Sequence, residues 1–139
     1  MPAADPVFRY ALDVLFRDCD LLGHVHHSVY LTYFEQCRHA FWRQLASTPE
    51  HTQVLVARIE CDYRASARFG DRLEVRLRVG EIGRSSFSLI YEVVNAVSGV
   101  LTAEGKTVMV AYDYKAGKSM PLSTETRHLL EQAKRQVRD

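Results

Sequence analysis

Five side chains that could do acid–base or metal chemistry fall within ten consecutive residues: Asp18, Asp20, His24, His26 and His27. Carboxylates and imidazoles are the side chains that most often move protons near neutral pH. Here they lie where a strand-like apolar run gives way to a helix-like one. Helix entrances carry unpaired N–H groups that favour negative charge. The stretch therefore predicts an active site in a loop that enters a helix.

The elements on either side of this loop follow from the spacing of apolar residues. We expect a first strand over Phe8–Phe16, a loop over Arg17–His26 in which Gly23 supplies a permissive turn, and a long helix from about His27 to Ala46. Apolar residues recur at steps of three and four along that helix, which places them on one face: Tyr30, Tyr33, Phe34, Cys37, Phe41 and Leu45.

The rest of the chain alternates apolar and polar residues, as strands with one wet face do. The apolar positions are Leu55, Ala57, Ile59, Cys61 and Tyr63; Leu73, Val75, Leu77 and Val79; Phe87, Leu89, Tyr91 and Val93; a further run covers 107–114. Turn signals separate these runs, which favours antiparallel neighbours. We therefore expect one α+β domain over 1–139, with an antiparallel sheet of about five strands wrapped around the long central helix. A loose tail is expected over 1–6, and a C-terminal helix over about 122–138, capped by Ser123.

Composition narrows the class of protein. The chain has 18 Lys and Arg and 17 Asp and Glu. Its charge is therefore nearly balanced, and no overall positive potential favours the binding of nucleic acid. No apolar run approaches the roughly 18 residues that cross a bilayer, and no signal segment is recognisable. The cysteines number three and are widely spaced, which suits a reducing cytoplasm better than a disulfide framework. We expect a cytoplasmic protein without a nucleic-acid or membrane partner.

Alternative roles exist for the polar residues of the loop and helix. The histidines and Asp20 could bind a metal, but no glutamate or cysteine follows at a familiar ligand spacing, so we expect none. Asp18 should hold the loop by hydrogen bonds to backbone amides, and Asp20 could instead merely close a turn or cap the helix. Glu35 and Arg38, three residues apart, should form a salt bridge or a solvated pair.

Three segments carry a resemblance to a known family. The segment Arg17-Asp-Cys-Asp-Leu-Leu-Gly-His-Val25, followed by Tyr30-Leu-Thr-Tyr-Phe-Glu-Gln-Cys-Arg38, resembles the signature of hotdog-fold acyl-CoA thioesterases of the 4-hydroxybenzoyl-CoA thioesterase branch. The segments Tyr63–Asp71 and Arg84–Phe87 look like that branch's second and third common segments. Many relatives have Asn-Asn at the positions of His26 and His27, and a proline at the position of Ser66.

The resemblance implies a hotdog fold and hydrolysis of acyl-CoA thioesters, without metal or bound cofactor. It assigns catalysis to Asp20, as base or nucleophile, and carbonyl polarisation to the backbone amide of His27. A histidine at the latter position is typical of a subgroup that resembles the Tol-Pal-associated short-chain thioesterases. The residues expected to contact the acyl-CoA substrate are Gly23, His24, Tyr30, Arg84 and Ser85. A homodimer or homotetramer is expected, since a lone sheet of this kind leaves an exposed edge.

Other functions are compatible with the same fold. A hotdog hydratase is disfavoured, because no Gly-Asp-x-Asn-Pro-x-His type segment is present. A non-catalytic acyl-CoA-binding or regulatory protein would keep the pocket without needing a carboxylate. A thioesterase that acts on acyl carrier protein rather than coenzyme A is a further alternative.

Overall fold

The computed structural model describes residues 8–45 and 53–136. The predicted tail over 1–6, the predicted helix end at Ala46 and the last residues of the predicted C-terminal helix, 137 and 138, lie outside the described residues. Within them the secondary structure is α+β, as predicted.

The described residues form a six-stranded antiparallel sheet. Its strands are β1 (Phe8–Asp13), β2 (Val54–Tyr63), β3 (Arg72–Ile82), β4 (Ser86–Asn95), β5 (Leu101–Asp113) and the two-residue β6 (Lys118–Ser119). The long strands lie in the order β1-β3-β4-β5-β2, and β6 pairs with the end of β5. Strands β1 and β2 are therefore the two outer strands of this sheet.

The central helix, α1 (Val29–Leu45), lies on the concave face of the sheet. Its predicted apolar face is buried except for Leu45, which is half-buried. Aromatic stacking joins the helix to β4: the ring centroids of Phe34 and Tyr91 are 4.4 Å apart, and those of Trp42 and Phe87 5.6 Å. Gly105 of β5 lets the helix approach this closely, because a Cβ there would lie 2.7 Å from the Phe34 ring. The sheet wraps around the helix as predicted.

Two predicted boundaries near the loop are wrong. Strand β1 ends at Asp13 rather than Phe16, because Phe16–Asp18 forms a turn of 3₁₀ helix in which the Asp18 carboxylate accepts the Leu15 N–H at 2.9 Å. Helix α1 begins at Val29 rather than His27. The imidazole of His26 accepts a hydrogen bond from the Ser28 N–H, and this bond holds the segment in a turn.

The predicted alternation of β2 is also wrong at its N-terminal half. The register shifts between Val56 and Arg58, so that Val54 and Val56 pair with the buried Ala111 and Met109 and face the helix. Leu55 and Ala57 were expected on that face instead. A β-bulge adds one residue to a strand and reverses every side chain beyond it, which alternation alone does not reveal.

The C-terminal helix, α2 (Thr124–Gln136), packs against β3, and its Leu130 and Ala133 belong to the buried apolar core. It begins two residues later than predicted. Ser123 caps it as expected, because its hydroxyl accepts the Thr126 N–H at 3.0 Å.

Candidate active site

Asp18 stabilises the loop that leads into α1. One of its oxygens, Oδ2, accepts hydrogen bonds from the Leu15 N–H and the Tyr33 hydroxyl, both at 2.9 Å. Burial, followed by this bond and the carboxylate charge, raises the pKa of Tyr33 well above its ordinary range. The hydroxyl therefore remains a donor and fixes the loop to the helix, and the structural role predicted for Asp18 agrees with these contacts.

Asp20 sits at the tip of the loop. Its main-chain N–H donates to the His24 carbonyl at 2.8 Å, and its own carbonyl accepts the N–H of Gly23, whose φ of +80° suits glycine. The Asp20 side chain is turned so that Oδ1 accepts the N–H groups of Leu22 at 2.9 Å and His24 at 3.3 Å. Among the described residues Oδ2 accepts no hydrogen bond, and the side chain is exposed. The carboxylate is oriented through one oxygen and open through the other.

Two backbone N–H groups between Asp20 and α1 find no partner among the described residues: that of Leu21, which is fully exposed at the tip of the loop, and that of His27. Val25 N–H binds the Ala67 carbonyl at 2.8 Å, His26 N–H binds the Asp18 carbonyl at 2.9 Å, and Ser28 N–H binds the His26 ring at 3.2 Å. The His27 N–H finds no partner within the part of the chain that the structure describes. It is the amide that the resemblance assigns to carbonyl polarisation.

Aromatic rings pack around the His27 side chain. The rings of His26 and His27 lie 4.2 Å apart, and the His27 ring meets Tyr63 edge-on at 6.5 Å. Tyr30, which is 3% exposed, packs against Tyr63 at 5.4 Å. Tyr30 therefore lines the wall of the site rather than presenting a free hydroxyl to solvent.

Tyr63 is a site residue that strand alternation missed. Its hydroxyl donates to the His27 carbonyl oxygen at 2.8 Å, although residue 63 lies at the end of β2. Partial burial, followed by the neighbouring Cys61, raises the pKa of Tyr63 to about 12, so the donor proton is retained. Its position as the first residue of the second family segment was the signal that could have identified it.

Arg84 and Ser85 lie far from the loop within one chain. They belong to the β3–β4 turn, where the Arg84 carbonyl accepts the Leu122 N–H and the Ser85 carbonyl the Ala111 N–H, both at 2.9 Å. The loop lies at the other end of β3, about 30 Å away along the nine steps from Leu73 to Ile82. One chain therefore brings together Asp20, Gly23, His24, His27 and Tyr30, but not Arg84 and Ser85.

Glu35 and Arg38 were expected to form a salt bridge or a solvated pair, but they form no salt bridge and Arg38 is half-buried. Its guanidinium turns inward and donates to the Tyr91 hydroxyl at 3.3 Å, and Glu35 is exposed without an ion pair among the described residues. The register of α1 explains the difference, because Arg38 follows the buried Cys37 and reaches the sheet.

Two broader observations bear on the kind of protein. Across residues 8–45 and 53–136, no three or more His, Cys, Asp or Glu side chains are grouped so that they could hold a metal ion. No helix in the described part of the chain has the length and apolar content needed to cross a membrane.

Comparison with known proteins identifies the family of the chain. The model of the thioesterase-like superfamily matches residues 14–130. The acyl-CoA thioester hydrolase YbgC of Escherichia coli O6:H1 is 28% identical over 112 residues, which cover 77% of this chain and 83% of that protein.

Solved structures show the same fold. A thioesterase from Thermus thermophilus, complexed with coenzyme A and Zn, is 32% identical with a TM-score of 0.84 and covers 93% of this chain and 95% of its own. The 1,4-dihydroxy-2-naphthoyl-CoA thioesterase Slr0204 from Synechocystis, at 22% identity, has a TM-score of 0.81 over 88% of this chain and 94% of its own. The chain therefore belongs to the thioesterase-like superfamily and is a thioesterase with the hotdog fold.

Proposed function

We propose that this chain hydrolyses acyl-CoA thioesters in the loop between β1 and α1, with Asp20 and the His27 amide as its catalytic groups. The observation that carries the proposal is the His27 N–H at the entrance of α1, which has no partner in the described part of the chain although the N–H groups of His26 and Ser28 beside it are bonded. Relatives named as acyl-CoA thioester hydrolases, and a relative crystallised with coenzyme A, support the choice of substrate.

Thioester hydrolysis builds negative charge on the carbonyl oxygen. A preorganised N–H donor at that position stabilises the transition state, and removing such a donor costs about 10²–10³ in turnover in other hydrolases. The helix dipole of α1 adds to the same effect. The His27 N–H fits this role because it donates to no other group in the described part of the chain and is therefore available to the carbonyl oxygen of the thioester.

Asp20 supplies the carboxylate that acts on water or on the carbonyl carbon of the thioester. Its Oδ2 is free to take a proton from water or to attack the carbonyl carbon, and its Oδ1 is held by Leu22 and His24. Gly23 and His24 shape the loop around it, and Tyr30 closes the wall. In this scheme the polarising group is an amide, so we propose that the reaction needs no metal or bound cofactor and that turnover survives treatment with a chelator.

We propose further that two copies of the chain complete the site. Arg84 and Ser85 would bind the coenzyme A portion, but one chain holds them about 30 Å from Asp20. Strand β2 is an outer strand whose second edge is unpaired among the described residues. Antiparallel pairing of two β2 strands would place the β3–β4 turn of one protomer beside the loop of its partner, in a homodimer or an assembly of such dimers.

The proposal is tested by thiol release from butanoyl-, decanoyl- and benzoyl-CoA, with chelator present. Release from at least one ester supports it. If no ester is hydrolysed while intact acyl-CoA still raises the melting temperature, the chain is an acyl-CoA-binding protein instead, because a binder is stabilised without consuming its ligand. If acyl carrier protein thioesters alone are cleaved, the carrier assigned here is wrong.

A further inference from the structure

A cleft of about 440 Å³ lies between the C-terminal half of α1 and the N-terminal half of β2, a size common for small-molecule sites. Its floor is apolar, with Val56, Phe87, Leu89 and Met109 among the residues that line it. It lies on the same side of the sheet as the catalytic loop but further along the helix. Nothing in the proposed chemistry uses it.

The helix side of the cleft is basic. Arg38, His39 and Arg43 line it together with Trp42. None of the three basic side chains forms an ion pair with a described residue, and the one hydrogen bond that Arg38 makes is to the neutral Tyr91 hydroxyl. A partly buried guanidinium without a carboxylate is costly unless another anion occupies the site.

The indole of Trp42 is a second, independent indication that the cleft binds a ligand. It is 8% exposed, and its Nε1–H is buried without a hydrogen-bond partner among the described residues. Buried indole N–H groups usually have an acceptor. An occupant that carries an oxygen acceptor would satisfy a donor set of this kind.

An apolar track leads from the catalytic end to this cleft. The side chains of β2 that face the helix are apolar or aromatic, and in one chain they stay partly open: Ile59 is 41% exposed and Tyr63 48%. The track starts at Tyr63, beside His27, and ends at Val56 and Val54 in the cleft. An acyl chain that leaves the thioester at His27 could follow it without crossing the packed core.

The length of the track fixes the length of that chain. Tyr30 packs against Tyr63 at the start of the track, with ring centroids 5.4 Å apart. Arg38 follows Tyr30 by eight helical residues, a rise of about 12 Å. Polypeptide backbone advances about 1.2 Å per bond when extended, and an alkyl chain has similar bonds. About ten bonds therefore separate the thioester carbonyl from a group that meets Arg38.

We propose that the cleft binds a carboxylate at the far end of the acyl group, so that the chain prefers ω-carboxyacyl thioesters of about ten carbons. Arg38 would bind the carboxylate, with Arg43 and His39 at the opening and the apolar floor against the methylene chain. This inference rests on the proposed function, because it names the substrate class of that same site.

The experiment compares decanedioyl-CoA, a monothioester with a free carboxylate, with decanoyl-CoA, which ends in a methyl group. We expect kcat/KM of the wild type to favour decanedioyl-CoA at least tenfold. Arg38→Gln should reduce this ratio at least tenfold, Arg38→Lys should reduce it less, and Arg43→Gln should reduce it by a smaller factor. Arg78→Gln, an exposed change on β3, is the control and should keep the wild-type ratio.

Binding of the free acids separates this inference from the proposed function. Decanedioate should raise the melting temperature of the wild type more than decanoate does, and Arg38→Gln should abolish the difference, even if no thioester is cleaved. Equal kcat/KM for the two esters, with both cleaved, would overturn the inference and leave the proposed function intact. An equal loss of affinity for both esters and for coenzyme A alone in Arg38→Gln would also overturn it, because Arg38 would then bind phosphate.

Discussion

The hydroxyl of Tyr63 donates a hydrogen bond of 2.8 Å to the carbonyl oxygen of His27, and so joins the end of β2 to the residue whose amide is unpartnered. This bond fixes the peptide that follows His27 and thereby the orientation of the segment that carries its N–H. We expect Tyr63→Phe to lower kcat about fivefold with little change in KM, since a net hydrogen bond is worth about 1 kcal/mol. Steady-state thiol release measures both constants.

The matched control for that substitution is Tyr114→Phe, an exposed tyrosine in the turn after β5. It should leave both constants at wild-type values. Because the pKa of Tyr63 is raised to about 12, the Tyr63→Phe defect should be the same at every pH from about 6 to about 9. A rise in KM with kcat unchanged would mean that Tyr63 binds substrate rather than positions the amide.

The proposed two-chain site predicts complementation between inactive variants. Asp20→Asn and Arg84→Glu should each be poorly active alone. When they are unfolded together and refolded, hybrid dimers should regain one intact site, so that activity returns toward about a quarter of the wild-type value if chains assort randomly. If each site lies within one chain, mixing should add nothing to the separate activities.

Gly105 should tolerate no side chain. In Gly105→Ala the new Cβ would overlap the Glu60 carbonyl oxygen and lie 2.7 Å from the Phe34 ring, so helix and sheet would have to separate. Overpacking of this kind costs about 1–3 kcal/mol in the free energy of unfolding. Gly83→Ala, whose nearest neighbour is the Ser86 hydroxyl at 3.2 Å, should cost less in the same urea titration. Equal stability of the two variants would contradict the close approach.

Buried tyrosines should make the fold sensitive to alkali. Burial raises the pKa of Tyr33 and Tyr91 above the ordinary value of 10.0, so that unfolded chains lose these protons first as pH rises. Since the unfolded state then binds fewer protons, the free energy of unfolding should be steady below about pH 9 and fall above about pH 10. Tyr33→Phe should be less stable near pH 8, by about 1 kcal/mol, but should lose less between about pH 9 and about pH 11. Tyr114→Phe should keep the wild-type pH slope.

The sequence was sufficient to predict the elements whose apolar spacing is regular. The buried face of α1 and the alternation of β3 and β4 are as predicted, because periodicity reports directly which face is buried. The strand β2 was predicted less well, since the bulge between Val56 and Arg58 leaves no mark on composition. The start of α1 depended on a single contact, from Ser28 to the His26 ring, which spacing cannot encode.

In the site, too, local sequence predicted some features and the fold was needed for others. The loop residues Asp20, Gly23, His24 and His27 were found together because they are close in sequence. Two contacts between distant parts of the chain, from Tyr63 to His27 and from Arg38 to Tyr91, became visible only with the fold. Arg38 illustrates the reason: three-residue spacing on a helix suggested Glu35 as its partner, but tertiary packing supplied a different acceptor.

The most direct test of the central claim is thiol release by Asp20→Asn beside Asp113→Asn, on the ester that the wild type cleaves best. The two aspartates form similar turns, since the Asp113 carboxylate also accepts two backbone N–H groups, from Lys115 at 3.0 Å and Ala116 at 3.1 Å. Asparagine keeps an oxygen acceptor in both turns but removes the negative charge. We predict that Asp20→Asn loses turnover by about 10²-fold or more, with a melting temperature near that of the wild type, and that Asp113→Asn retains wild-type turnover. Wild-type turnover in Asp20→Asn would contradict the account, because Asp20 would then only close its turn.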